Sequence, residues 1–487
     1  MKLFVIQLKY IRLLFLLSLY TLLYTSATAQ PVFHGAKIIG SYPSTPFIHT
    51  IAATGEKPII FHAQSLPNGL QLDSNTGIIS GTAPQKGIYK VKVAATDKNG
   101  TTTQTIELNI GEKLALTPPM GWNSWNVFAQ DVDENIVMEI ADAMVSTGMR
   151  DAGYEYINID DYWHADQREP NGKPKVDEKK FPHGMKYVAD YVHSKGLKLG
   201  IYSCAAEYTC GKEFGSYGFE EIDAATYAEW GIDLLKYDYC FAPWSQKEAI
   251  KRYTKMGEAL KKSGRSIVFS VCEWGLRKPW KWASQAQGSY WRTTPDIFDK
   301  WGGTHFWQYG VMQILRHQIG LEKYAAPGAW NDPDMLIVGN YGTGNATSAK
   351  GKFKGLTDTQ YESHFAIWCM LNAPLLTSCD LRKMNTATQN ILLHSNLIAL
   401  NQDVAGKQAT LVSKKKGIWI YKKELSDGAA YAFFNTGNKT KKLTVPETIQ
   451  KELQSNTRAI LNFSEQQNLS QPIILAPYQT IVIKKHL

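Results

Sequence analysis

The sequence predicts a multidomain protein in which a (β/α)8 barrel stands between two all-β regions. Three observations predict it. From Leu116 onward the chain alternates short apolar, strand-like runs with helical stretches about eight times. On either side of that region the pattern reverts to short runs of period two separated by turn signals. The strand-like runs of the middle region end again and again on charged or aromatic residues, and a barrel gathers its functional groups at such strand ends. A chain of 487 residues also suits two or three domains better than one.

The first element is a targeting segment. Lys2, Lys9 and Arg12 make a basic opening, Leu13 to Tyr24 is mostly apolar, and Ala27-Thr28-Ala29 supplies an A-x-A cleavage pattern before Gln30. The apolar run is short for a membrane span, and no cysteine lies near it for lipid attachment. These features predict a cleavable signal peptide over 1–29. They also predict a mature chain that is secreted or periplasmic and spans no membrane.

Residues 30–111 are expected to form the small N-terminal β-sandwich. Pro67-Asn68-Gly69-Leu70 and Asp73-Ser74-Asn75-Thr76-Gly77 are turn signals. Ile88 to Val93 and Thr103 to Ile110 alternate with period two, and Asp97-Lys98-Asn99-Gly100 is the hairpin turn between them. Through Leu66 to Asp73 and Thr76 to Thr82 the region resembles the immunoglobulin-like (Ig-like) domains of bacterial surface and secreted proteins. It carries no evident chemistry and reads as a spacer or accessory module.

The barrel is expected over 112–400. Its strands are placed near Met120-Gly121-Trp122 and at Tyr156–Ile159, Leu197–Tyr202, Leu234–Tyr237, Ile267–Val271, Ser289–Arg292, Gly328–Asn331 and Pro374–Thr377. Helical stretches include Glu134–Met149, Gly184–Lys195, Asp223–Trp230, Gln246–Lys262 and Thr359–Leu371. A doubly wound sheet is the rival, but no Gly-rich phosphate loop follows the first strand. From 401 to 487 short strands return at Gly417–Tyr421, Ala429–Asn435, Lys442–Val445, Ala459–Asn462 and Thr480–Ile483, predicting a C-terminal antiparallel β-sandwich.

Composition narrows the function. The net charge is +9, but the basic residues are dispersed. The densest runs, Lys414-Lys415-Lys416 and Lys439-Thr440-Lys441-Lys442, sit beside strand-like segments and read as hairpin turns, so nothing points to nucleic acid. Six cysteines show no C-x-x-C and no zinc-like spacing. In a disulfide-permissive compartment they imply at least one bridge and some buried thiols. Aromatics are 12 % of the chain, with 14 Trp and 25 Tyr, enough to fill a core and still face a sugar ring.

The chemistry gathers at the predicted strand ends. In Leu234-Leu235-Lys236-Tyr237-Asp238, alternation puts Lys236 and Asp238 on one side of an apolar strand. Alone, that pattern fits a structural ion pair equally well. Asp160-Asp161, Tyr202, Cys272-Glu273-Trp274, Trp291-Arg292 with Asp296, and Asn331-Asp332-Pro333-Asp334 end other strands. Together they describe a carboxylate-rich pocket with aromatic walls. A hard cation is disfavoured by the lysine and arginine and by the absence of EF-hand spacing. Glycoside hydrolysis, which needs two carboxyls in different protonation states and groups for sugar hydroxyls, fits better. No cofactor is implied; the expected partner is a carbohydrate, and no feature sets an oligomeric state.

Five motifs in order carry a resemblance. Pro118-Pro119-Met120-Gly121-Trp122-Asn123-Ser124-Trp125, Asn158 to Trp163, Lys236-Tyr237-Asp238, Trp291 to Asp296 and Asn331 to Met335 resemble the signatures of glycoside hydrolase family 27. This is the α-galactosidase / α-N-acetylgalactosaminidase family, and the match runs from about Leu116 to the C-terminus. The resemblance implies a retaining exo-glycosidase acting on terminal α-D-galactosyl residues. Asp238 would be the nucleophile and Asp296 the general acid and then base, with carboxyls roughly 5 Å apart. Lys236 and Arg292 would bind hydroxyls, and Lys236 would help keep Asp238 ionised. Asp160 and Asp161 would grip the hydroxyls at C4 and C6, Trp125 and Tyr202 would line the subsite, and Cys210 would pair with Cys240.

Cys272-Glu273-Trp274-Gly275 resembles the plant-type version of the loop, whose bulk leaves little room for a 2-acetamido group; Cys272 and Trp274 are therefore expected to contact substrate. Two residues depart from the family pattern. Pro295 precedes Asp296 where many members have a small residue, and Cys204 stands where an aspartate is common. The alternatives are thus β-L-arabinopyranosidase, α-N-acetylgalactosaminidase, or a silent sugar-binding protein, the last opposed by the presence of both Asp238 and Asp296.

Overall fold

The computed structural model of the protein describes residues 29–343, 354–453, 457–461, 469 and 471–486. The expected leader lies almost wholly outside them. The central region contains eight parallel strands in chain order: β1 (Met120–Asn123), β2 (Tyr156–Asn158), β3 (Lys198–Cys204), β4 (Leu234–Asp238), β5 (Val268–Val271), β6 (Tyr290–Arg292), β7 (Trp330–Asp332) and β8 (Leu375–Thr377). Each pairs with the next from β1 to β7, and β1 pairs with β8. A parallel bridge between Leu336, just past β7, and Thr377 closes the ring. The expected barrel is therefore present.

Strand alternation explains how one set of strands makes both a floor and a pocket. Tyr156, Leu234, Val268, Tyr290, Trp330 and Leu376, from β2, β4, β5, β6, β7 and β8, pack in one buried apolar cluster. Two residues onward β2, β4 and β6 present Asn158, Lys236 and Arg292, and the next step on β4 is Asp238. The interior thus turns from apolar to charged within one period of the pleat.

Helices α1 (Glu134–Ser146), α2 (Met185–Ser194), α3 (Glu220–Trp230), α4 (Gln246–Lys262), α5 (Val311–Gln318) and α6 (Asp358–Met370) pack outside the strands. α1 buries Val137, Ile140, Ala141 and Met144, a helical stripe, and begins where the Asp133 side chain accepts from the Ile136 N–H. Thr357 and Gln360 form a capping box on α6. The regular strand–helix alternation fails once. Between β5 and β6 only a short 3-10 turn, Pro279–Lys281, is formed. That segment holds Gly275 and Gly288, and Lys278 in the left-handed region (φ 55°), so it cannot sustain a helix. α5 is a helix that the sequence reading did not single out.

The N-terminal region forms two main sheets beside a Val32–Phe33 / Ala53–Thr54 pair. One orders Ile38–Ser41, Gly100–Ile110, Gly87–Asp97 and Ile60–Gln64; the other orders Pro46–Thr50, Ile78–Thr82 and Leu70–Leu72. Asp97 pairs with Gly100 across the expected hairpin turn. Val91, Val93, Leu108 and Ile79 are fully buried between the sheets. This region sits on the barrel's N-terminal face. Thr50 Oγ1 donates to the Gly196 carbonyl at 2.7 Å, and the Tyr42 N–H donates to Ser266 Oγ at 2.9 Å. Gly196 and Ser266 immediately precede β3 and β5, so the contact lies at the end opposite Asp238.

The C-terminal region is a five-stranded antiparallel sheet, with Thr410–Lys415, Ile418–Leu425, Gly428–Asn435, Thr480–His486 and Thr457–Leu461 in that order, beside a Lys441–Leu443 / Ile473–Leu475 pair. Lys416 occupies the turn expected of its lysine run (φ 49°), whereas Lys441 and Lys442 belong to a strand. Buried Lys423 joins this sheet to the barrel, donating to Asn372 and to the Lys407 carbonyl.

Candidate active site

A cavity of about 400 Å3 opens where the barrel strands end. Its volume suits a small ligand such as a sugar. Nine of the ten residues expected at the site line it: Trp125, Asp160, Asp161, Tyr202, Lys236, Asp238, Trp274, Arg292 and Asp296. The tenth, Cys272, is buried behind them, with its sulfur 3.9 Å from Arg292 Nη1.

Asp238 lies at the buried end of β4. Tyr202 OH donates to its Oδ2 at 3.1 Å and the Tyr239 N–H donates to Oδ1 at 2.8 Å, so both oxygens are held. Cys210 is disulfide-bonded to Cys240, as expected, and the Cys210 sulfur lies 3.4 Å from Asp238 Oδ2. These three residues are close enough to suggest a metal cluster. The two sulfurs are bonded to each other and cannot act as thiolate ligands, so the grouping does not hold an ion.

Burial pushes the Asp238 carboxyl up to about 7; the Lys236 charge opposes this and Asp296 adds to it. Lys236 therefore favours the ionised form, as expected, but burial outweighs it. The lysine is committed elsewhere: Nζ donates to Asp160 Oδ2 at 2.7 Å, which also accepts from Asn123 Nδ2 at 2.8 Å. Asp161 accepts from the Gly211 and Tyr162 N–H groups at 2.8 and 2.9 Å, and burial raises it to about 6. Trp125 stacks on Tyr162, with ring centroids 6.1 Å apart and planes 5° from parallel.

On the other side, Arg292 Nη2 donates to Asp296 Oδ1 at 3.0 Å and pairs with Asp334 Oδ2 at 2.9 Å. Asp334 has φ 87° and accepts from the Ile297 and Met335 N–H groups at 2.7 and 2.8 Å. It thus holds the residue next to Asp296. The Asp296 side chain is 40 % exposed, against 3 % for Arg292. Burial raises Asp332 to about 7 and raises Asp334 as well, opposed in both by Arg292.

Asp334 and Met335 lie in a motif quoted from the sequence without a role for either. Asn126, Tyr239, Phe241, Trp244, Leu276, Arg277 and Trp307 were not singled out, and all of these line the cavity. Most sit on loops without periodicity, so only the β4 loop from Tyr239 to Trp244, rich in aromatics just past Asp238, could have signalled them. Pro295 lines the cavity, while Cys204 is buried and donates weakly to the Cys240 carbonyl at 3.5 Å. Glu273 is buried; it accepts from Arg277 Nη1 at 3.1 Å, and burial pushes it up to about 7. Cys204, Cys272, Cys369 and Cys379 are the free, buried thiols.

Known proteins place this geometry. The family described as "Alpha galactosidase A" matches residues 117–403, and the "Putative Ig domain" family matches 30–111. The chain is 48 % identical over 321 residues to "Alpha-galactosidase A" of Cellvibrio japonicus, covering 65 % of this chain and 75 % of that protein. A Bacteroides fragilis crystal structure described as a "putative alpha-galactosidase" is 46 % identical, covers 94 % of this chain and 99 % of its own, and superposes with a TM-score of 0.89. Alpha-galactosidase I from Mortierella vinacea is 31 % identical, covering 77 % and 98 % respectively with a TM-score of 0.69. Matched across its barrel and similar to these proteins over most of their lengths, the chain belongs to the alpha-galactosidase A family, glycoside hydrolase family 27.

Proposed function

We propose that the protein is an exo-acting α-galactosidase that removes terminal α-D-galactosyl residues from galactosides and galacto-oligo- or polysaccharides with retention. The observation that carries the reading is the pairing of a buried, doubly hydrogen-bonded Asp238 with a more exposed Asp296 on one cavity. Asp238, when ionised, attacks the anomeric carbon as the glycosidic bond breaks. Asp296 gives its proton to the leaving oxygen and then takes one from the water that releases galactose. The Asp160–Lys236 pair and Asp161 present acceptors and a donor for ring hydroxyls. Arg292 stays protonated throughout and orients Asp296.

Galactose is favoured over an N-acetylated sugar by the bulk of Trp274, held at φ 57° on a loop tied down by Glu273 and Arg277. The names of the similar proteins point the same way. We further read the chain as secreted or periplasmic, with a leader over 1–29, an accessory module over 30–111, the barrel over 112–400 and a β-sandwich over 401–487. Among the described residues no helix is long and apolar enough to cross a membrane.

A panel of p-nitrophenyl glycosides tests the sugar, and Asp238→Asn tests the nucleophile. The α-galactoside is expected to turn over fastest, and the variant to lose at least about a thousandfold in kcat. Preference for the β-L-arabinopyranoside, or a variant as active as the parent, would sink the reading.

A further inference from the structure

Three large aromatic side chains on the cavity are mostly exposed: Phe241 at 66 %, Trp244 at 70 % and Trp307 at 64 %. Exposed apolar residues scattered singly need no explanation, but a cluster at the mouth of a pocket does. Their positions are informative. Trp307 lies at the tip of a tight hairpin, Thr304–His305 against Gln308–Tyr309, and Gln308 pairs with Asp296 itself. The Asp296 N–H donates to the Trp307 carbonyl at 3.1 Å. Trp244 rises from the loop after β4. Arg277, itself 7 % exposed, donates from Nε to the Trp244 carbonyl at 3.1 Å and lies 5.0 Å from the indole centroid.

A general acid stands beside the oxygen it protonates, so the leaving group lies on the Asp296 side of the cavity. Trp307 is bonded to that residue's own strand, and Trp244 stands on the same cavity at the mouth. Flat aromatic faces there, on backbone held by hydrogen bonds, suit the apolar C–H faces of pyranose rings. We infer that Trp244 and Trp307 form a platform for the saccharide beyond the scissile bond and so set which leaving saccharide is preferred. This rests on the roles proposed for Asp238 and Asp296.

The test compares three substrates: α-galactosyl fluoride, whose leaving group is one atom, raffinose, and a mannotetraose with a single α-galactosyl branch. In the Trp244→Ala/Trp307→Ala variant, kcat/KM for a saccharide substrate divided by that for the fluoride is expected to fall about tenfold or more. Trp244→Tyr, which keeps a stacking face, should recover most of the ratio in the Trp307 background. A fall confined to raffinose or to the mannotetraose identifies which type of leaving saccharide the platform fits. Both ratios staying within twofold of the parent overturns the inference. A parent that does not hydrolyse galactosyl fluoride overturns the glycosidase reading first, and this one with it.

Discussion

Asp334→Asn probes how the proposed acid is held in place. Asp334 is 2 % exposed, and its two oxygens take three donors: Arg292 Nη2 and the Ile297 N–H on Oδ2, and the Met335 N–H on Oδ1. Asparagine tolerates the φ of 87° about as well as aspartate, so the substitution adds little backbone strain. It does remove the charge facing a guanidinium that is 3 % exposed, replacing an ion pair by a charge–dipole bond that is weaker by about 1 kcal/mol. Its amide also has only one acceptor. Either the Met335 N–H or the pair on Oδ2 must meet an NH2 group, and a buried donor left unpaired costs about 1–3 kcal/mol. The expected destabilisation is about 2–4 kcal/mol, read by urea unfolding. Because Ile297 directly follows Asp296, the damage falls on the acid. Turnover of raffinose, which needs leaving-group protonation, should drop at least tenfold more than turnover of α-galactosyl fluoride, which needs little. A variant within about 0.5 kcal/mol of the parent, with both substrates affected equally, would refute the idea that Asp334 positions Asp296.

Three further outcomes follow from the same geometry. With Asp238 raised to about 7, kcat/KM should climb as pH rises through 7, because the proposed nucleophile must be ionised. Stability has the opposite sign: the folded chain holds this proton more tightly than the unfolded chain, so the Asp238 contribution is lost as pH rises from about 4 through 7, and Asp238→Asn should gain stability over the parent at pH 8 but not at pH 4. Asp296→Ala should cut kcat/KM for raffinose by roughly 10²–10⁴, spare p-nitrophenyl α-galactoside by comparison, and be partly rescued by azide with a galactosyl azide product; loss that is equal on both substrates and unmoved by azide counts against the acid/base role. Replacing Cys210 and Cys240 by serine opens a loop with a sequence separation of 30 and should cost about 3–4 kcal/mol in thermal unfolding, with lowered activity since the bridge touches Asp238; an unchanged melting temperature would show that the bridge is dispensable.

What could be read from the residues followed the periodicities. Period two put Leu234, Lys236 and Asp238 on one side of β4, and the barrel keeps them there. The helical stripe of α1 was equally legible, since Val137, Ile140, Ala141 and Met144 repeat at the helical spacing. The β5–β6 connection, where the alternation of strand and helix lapses, was read without a helix, and Pro279 and the flanking glycines oppose one. The aromatic rim was legible at most in the loop just past Asp238 that carries Phe241 and Trp244, and not at Trp307. Phe241, Trp244 and Trp307 sit on loops whose course is set by Arg277 and by the Asp296 strand, contacts between residues distant in sequence.

That division has a consequence for how the site works. The parts proposed to handle the sugar ring, Asp160, Asp161, Lys236 and Asp238, stand on or just past barrel strands whose register is enforced by the apolar layer beneath them. The parts proposed to handle the leaving group, Asp296, Trp307 and Trp244, stand on loops fastened by buried arginines. Arg292 ties the acid to Asp334, and Arg277 ties the Trp244 loop to Glu273. A rigid strand-borne half suits a fixed glycon, because displacing it would require repacking the barrel interior. A loop-borne half can change its aromatic residues without disturbing the core. Selectivity among leaving saccharides is therefore expected to vary with substitutions at positions 241, 244 and 307, while selectivity among glycons stays with the strand ends.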